Sequence, residues 1–319
     1  MNAFTAPHFH DETEARSFLE RLRWPNGPVC NHCGEAQRRY ATKREGRFRC
    51  GNPECRKDYS VTTGTVMERS HIPLTKWLMA FYLMCSSKKG ISAHQLYRSL
   101  GIGSYQSAWF MAHRIREAMR AGGLVTPMGG EGEIVEADET YYGRADEKKL
   151  TKKRYSPYTK GGWKNKGSAR PIISLVERGG RVRSFHVDAA TKVNVTKIVR
   201  DNVAKESRLH TDESLLYKTV GAEFAAHETT KHSAKEYVRG DVHSNSVEGY
   251  FGLFKRGMKG VYHHCDEKHL HRYLAEFDFR YNHRTKLGYG DIERTFAAIR
   301  GAEGKRLTYR QPNGAGLAI

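Results

Sequence analysis

The chain has no run of eighteen apolar residues, which excludes a helical membrane span. Met1 to Glu20 is mixed and acidic and carries no signal-peptide pattern. Cysteine is scarce, six in 319 residues, and four of the six sit in two close pairs. That usage argues against a secreted disulfide scaffold and fits metal binding in a reducing cytoplasm. Acids are the minority charge, with 35 Asp and Glu against 54 Lys and Arg, and the net charge is +19. Such an excess favours a polyanionic partner, because clustered Lys and Arg release counterions when they meet phosphates. A merely soluble basic protein is the plain alternative. Hydrophobic residues make up 38%, enough for a core and too many for wholesale disorder. The length fits more than one domain and fewer than three. There is no internal repeat.

Apolar spacing predicts a short helix over residues 11–24, with Phe18, Leu19, Leu22 and Trp24 on one face and Pro25 as its stop. Residues 28–60 read as short strands and turns around cysteines. Residues 73–85 read as a buried helix opened by Pro73, a stronger signal than a Thr75 cap. Ser92 to Leu100 and Ser104 to about Met119 read as two helices around Gly101-Ile102-Gly103. Helix, short glycine turn and longer helix fit a helix-turn-helix, or an ordinary helical hairpin. Ala121 to Glu131 is the candidate linker. Ile134 to Asp138 reads as a strand ending in an acid, Pro171–Glu177 and Val182–Asp188 as a hairpin, and 192–204 as a helix. Ser207 to Thr211 is a short strand ending at Asp212, followed by helical patterns at 214–220, 245–258 and 267–283. The tail from Gly301 is glycine-rich and expected to be poorly ordered. Residues 144–170 hold ten Lys or Arg against two acids and read as a basic loop.

The cysteine pattern is Cys30-x2-Cys33, sixteen residues, then Cys50-x4-Cys55. Each pair is close enough for both thiolates to reach one ion, and structural Zn2+ takes four such ligands in a tetrahedron. Binding would supply folding energy that so small a module lacks. The isolated Cys85 and Cys265 read as core or surface thiols. His32 reads as a surface group.

Asp138 and Asp212 close candidate strands, and Glu248 falls early on a candidate helix. Asn245 and Lys255 lie on that helix at steps that keep side chains on nearby faces. Lone acids at strand ends are usually solvated or capping groups. Three acids with a downstream lysine instead fit a Mg2+ or Mn2+ site, where two ions clamp an attacking and a leaving oxygen of a phosphodiester. His243, His263 and His264 read as hydrogen-bonding or surface groups rather than bases. Tyr141 and Tyr142 read as packing beside the site rather than as nucleophiles.

Several stretches are similar to one family: CNHCG at 30–34, FRC at 48–50, CRKDYSVTTGTVMERSHIPLTKW through 77, EADETYYGR at 136–144, HTDES at 210–214, HSNSVEGYFGLFKRGMKGVYHH at 243–264 and HLHRYLAEFDFRYNHR at 269–284. Together they resemble bacterial insertion-sequence transposases with an N-terminal zinc ribbon and a DDE-type, ribonuclease-H-like catalytic domain. The resemblance implies an α/β fold with a mixed sheet flanked by helices, preceded by a zinc ribbon and a helix-turn-helix-like segment. It makes Asp138 and Asp212 the first two catalytic acids. The third is Asn or Glu in this family; Glu248 is favoured here by its spacing, with Asn245 as a rival ligand or substrate contact. The resemblance further implies DNA contacts from Lys255 and Arg256, and from the 144–170 loop, including Lys164 and Lys166.

The expected organisation is a helix and zinc ribbon at 1–70, a helical DNA-recognition segment at 71–121, a catalytic domain at 131–300 and a flexible tail at 301–319. The expected activity is cleavage of double-stranded DNA at mobile-element ends, then transfer of the freed 3′-hydroxyl into target DNA. The expected setting is a homo-oligomer assembled on DNA in the cytoplasm, at the nucleoid. Two alternatives stand: a zinc-ribbon regulator without catalysis, and a purely hydrolytic nuclease of the same fold.

Overall fold

The computed structural model describes residues 3–122, 126–143, 170–230 and 238–308. The chain divides into two compact units, Met1–Arg120 with Gly288–Ile319, and Ala121–Leu287.

The first unit opens with helix α1 (Glu12–Arg23), where Asp11 accepts a hydrogen bond from the Glu14 amide at 2.8 Å, as a capping acid should. Three short antiparallel strands follow in the order β1 (Arg39–Ala41), β2 (Arg47–Cys50) and β3 (Asp58–Ser60). So small a sheet has little apolar area, and a triad of rings, Trp24, Phe48 and Tyr59, packs edge-on and tilted beneath it. Helix α2 (Leu74–Ser86) starts after Pro73, which makes no side-chain cap. Glu12 caps it instead, accepting from the Leu74 and Thr75 amides at 2.8 and 3.3 Å. Helices α3 (Ala93–Ser99) and α4 (Tyr105–Met119) are capped by Ser92 and Ser104, each accepting from the amide three residues on. Only the first turn of α4 is exposed, at Tyr105, Gln106 and Ser107; Met111 to Met119 are all buried.

The second unit is a five-stranded mixed sheet: β4 (Ile134–Tyr142), β5 (Arg170–Glu177), β6 (Val182–His186), β7 (Arg208–Asp212) and β8 (Ala226–Thr230), in the spatial order β6-β5-β4-β7-β8. The first three pair antiparallel, and β7 and β8 run parallel to β4. This is the mixed sheet flanked by helices that the resemblance implied. Helices α5 (Lys192–Asn202) and α6 (Lys218–Gly221) supply a crossover between parallel strands. Helix α7 (Asn245–Gly257), extended by a π turn at Met258–Tyr262, and α8 (Glu267–Asn282) follow.

Strand alternation sorts the two faces. Val135, Ala137, Ile173 and Leu175 pack with Val195 and Val199 of α5 and with Val220 of α6. Ile172, Val176 and Val182 pack on the other face against Tyr250 and Phe254 of α7 and Leu270, Leu274 and Phe277 of α8. Phe254 and Phe277 meet edge to face, centroids 5.2 Å apart.

Three expectations need correction. Strand β4 does not end at Asp138: Glu139, Thr140, Tyr141 and Tyr142 continue pairing with β5, as β-branched and aromatic residues favour, so Asp138 lies mid-strand. Residues 288–300 were assigned to the catalytic domain, but α9 (Asp291–Arg300) belongs to the first unit, where Arg294 donates to the Cys85 carbonyl of α2 at 2.9 Å. The tail from Gly301 is docked as far as 308. The Gly304 amide donates to the Gly64 carbonyl at 2.9 Å and the Lys305 ammonium to the Ala118 carbonyl at 3.0 Å, satisfying groups a free tail would leave to water.

Candidate active site and metal centre

In the ribbon, Cys30 and Cys33 flank a knuckle closed by the Gly34 amide donating to the Cys30 carbonyl at 2.8 Å, with Gly34 at φ +79°. The longer Cys50–Cys55 turn closes with the Cys55 amide on the Asn52 carbonyl and Arg56 in the left-handed region at φ +46°. All four sulfurs lie within 4.8 Å of one another; Cys30–Cys55 are 3.9 Å apart and Cys33–Cys50 3.5 Å. A disulfide would bring two sulfurs to about 2 Å. A tetrahedral ion with Zn–S bonds near 2.3 Å needs edges of roughly 3.8 Å, so the soft donors and their spacing fit one zinc.

The acidic centre lies at the sheet's middle strands. Strand β4 pairs with β7 as Ile134↔Arg208 and Glu136↔His210. The same offset carried two residues further sets Asp138 beside Asp212, both on the face covered by α7. Helix α7 brings Glu248 to that face in its first turn. Burial, and then the negative charges of Asp212, Glu139 and Glu248, push the Asp138 carboxyl up to about 8. Lys255, two turns along α7, is held down by burial and drawn back up by Asp138, which places its ammonium in the same field. The Ser214 amide donates to Asp212 Oδ1 at 3.0 Å, and the Ser244 hydroxyl to Glu248 Oε1 at 2.8 Å. The acids are spaced more widely than the thiols: among the described residues, only the cysteines bring three or more ligand atoms within 4.8 Å of one another. Carboxylates whose charges push the buried Asp138 carboxyl up fit a hard divalent cation, which takes oxygen ligands and reverses the local charge.

Asn245 is exposed at the first position of α7, its amide donating to His243 Nδ1 at 3.3 Å. Arg256 is exposed on α7 beside Lys255. Lys164 and Lys166 lie outside the described residues. Tyr142 packs edge-on against Phe254, and His243 and His264 are hydrogen-bonded, to Arg178 and Asp266.

Sequence reading missed two acids on β4. Glu139 faces away from α7 toward Tyr217, and burial, then Asp212, raises its carboxyl. Glu136 has no exposed side-chain surface. Its signal was present: a charge inside the apolar strand start Ile134-Val135-Glu136-Ala137 must find partners when buried.

Residues 10–58 match the family described as the transposase zinc-ribbon domain, and residues 130–282 the ISXO2-like transposase domain. The ribbon and the mixed-sheet unit therefore define a DNA transposase, an enzyme that cuts and transfers DNA. More narrowly, residues 130–282 carry the ISXO2-like form of the transposase domain. An uncharacterized protein in the transposable element ISH50 of Halobacterium salinarum is 29% identical over 285 residues, covering 85% of this chain and 91% of its own length. A chain of the simian T-cell lymphotropic virus intasome, solved with the PP2A regulatory subunit B56 gamma, overlaps 57% of this chain at 14% identity and TM-score 0.28; the overlap spans 63% of that chain. No described helix is long and apolar enough to cross a membrane.

Proposed function

We propose that Asp138, Asp212 and Glu248 form a DDE centre holding two Mg2+ or Mn2+ ions, and that it cuts double-stranded DNA at element ends and joins the freed 3′-hydroxyl to target DNA. The observation that carries this reading is the Asp138 carboxyl, pushed up to about 8 by burial and by acids 74 and 110 positions away in the chain. Bound divalent cations would supply charge neutralisation at the scissile phosphate. In the transfer step the 3′-oxygen bonds to phosphorus as a target phosphodiester P–O bond breaks, leaving a new 3′-hydroxyl on the target. The chain's own part is to aim the carboxylates and hold the DNA backbone. Lys255, in the field of Asp138, is assigned to a phosphate near the cut. Arg256, Lys164 and Lys166 are assigned to flanking backbone, and the exposed first turn of α4 to reading element ends. Zinc in the ribbon is structural. The working species is a homo-oligomer on paired ends.

The test is cleavage and strand transfer on DNA bearing the flanking ends of the encoding gene, with Mg2+ or Mn2+. Asp138→Asn, Asp212→Asn and Glu248→Gln are expected to abolish both steps while end binding persists. A joined product excludes a purely hydrolytic nuclease. Unimpaired transfer by Asp138→Asn refutes the proposal. Loss with Asn245→Ala but not with Glu248→Gln moves the third ligand to Asn245.

A further inference from the structure

Helix α7 carries the third acid, yet it has no cap of its own. Ser244 occupies the N-cap position and its side chain makes no capping hydrogen bond. The first-turn amides are met from another element. Glu136 Oε2 accepts from the Ser246 and Val247 amides at 2.7 and 3.1 Å, and Oε1 accepts from the Ser246 hydroxyl at 2.9 Å. Oε1 also accepts from Arg178 Nε and Nη2 at 3.0 and 2.8 Å. Arg178 in turn donates to the carbonyls of Asp241 and His243, at 2.7 and 3.2 Å, in the segment that leads into α7. His243 Nδ1 accepts from the Asn245 amide and lies 3.1 Å from Arg178 Nη2.

We propose that Glu136 is the positioning residue of the acidic centre: one buried carboxylate fixes the strand bearing Asp138 to the helix bearing Glu248. The residue lies two positions before Asp138 on the same face, and its amide donors lie two and one positions before Glu248. Five donors on two oxygens leave the carboxylate little rotational freedom, and its negative charge sits at the positive end of the α7 dipole. Glu136 touches neither substrate nor ion; it acts by setting where two ligands stand. The inference rests on the DDE reading above.

The test uses the full zinc-loaded chain. Hydrogen exchange resolved to α7 reads the Ser246 and Val247 amides directly, and the free-Mn2+ electron spin resonance signal reads ion binding without activity. Glu136→Ala is expected to remove protection at those two amides and to weaken Mn2+ binding by about tenfold or more, the effect of losing a group that supports metal ligands. End binding should hold. Glu136→Gln keeps an oxygen for the two amides while its NH2 replaces the oxygen facing Arg178, so it is expected to retain their protection and to bind Mn2+ more tightly than Glu136→Ala, a partial rescue that loss of general stability would not give. Wild-type amide protection or wild-type Mn2+ binding in a folded Glu136→Ala overturns the inference. So does an unprotected first turn in a folded Glu136→Gln, even where the alanine variant does not fold. Undiminished Mn2+ binding by Asp138→Asn would instead strike the DDE reading itself, so the two failures are told apart.

Discussion

Asp278 on α8 ties three elements together, and its titration should be visible in the stability of the second unit. Its Oδ1 accepts from the Ser184 hydroxyl at 2.7 Å and the Tyr250 hydroxyl at 2.5 Å, and its Oδ2 from the Ser184 amide at 2.8 Å. Burial outweighs these bonds and raises the carboxyl from its ordinary 3.8 to about 6. The folded state therefore holds this proton more tightly than the unfolded chain does. Its stabilising contribution is complete below about pH 4, falls as pH rises toward 6 and is flat above. Two pH units at 1.36 kcal/mol each set a ceiling near 3 kcal/mol, and residual solvent contact lowers the expectation to about 1–2 kcal/mol. Asp278→Asn removes the titration. It also replaces one accepting oxygen with an amide donor beside Ser184 and Tyr250, a constant offset that does not vary with pH. The informative quantity is thus the change with pH of the difference between the two proteins. Urea-dependent hydrogen exchange of α8 peptides measures it between pH 4 and 7. Wild type should lose about 1–2 kcal/mol relative to the variant across that range. Parallel profiles, or a relative gain by wild type, would refute the reasoning.

Three further outcomes are expected. Cys33→Ser should abolish binding of one zinc per chain by metal analysis and expose the Trp24, Phe48 and Tyr59 rings, read as a red-shifted Trp emission; retained stoichiometric zinc would contradict the four-thiolate site. Gly129→Ala sets a Cβ 2.2 Å from Ser207 Oγ at a φ of +76°, and should cost about 2 kcal/mol or more in urea unfolding; a neutral result would contradict that turn. Phe277→Ala removes the ring packed on Phe254 and should cost about 3–5 kcal/mol, seen as a lower denaturation midpoint with an unchanged slope.

Local signals were legible in the sequence where local physics decides. Ser92 and Ser104 marked helix starts because a hydroxyl at that position meets amides three residues away. The cysteine spacing was legible because both ligands of a knuckle come from one short turn. The apolar stripe of α8 gave its buried face. What escaped depends on partners distant in the chain. The true length of β4 rests on pairing Thr140–Tyr142 with β5 residues some thirty positions on. The role of Glu136 rests on amides 110 and 111 positions later. Helix α9 was grouped with its sequence neighbours because nothing in its own pattern says that α2 is what it covers.

The second unit is one uninterrupted stretch, whereas the first is finished only by residues from Gly288 onward. On the ribosome this imposes an order. The mixed sheet and its helices can emerge and settle while α2 still waits for α9. Synthesis of Ala121–Leu287 takes about 10–30 s at ordinary elongation rates, and for that time an N-terminal apolar flank is uncovered. A messenger broken or stalled late in the gene would yield a sheet-bearing fragment whose amino-terminal unit never closes, and such products should be prime substrates for chaperones and proteases.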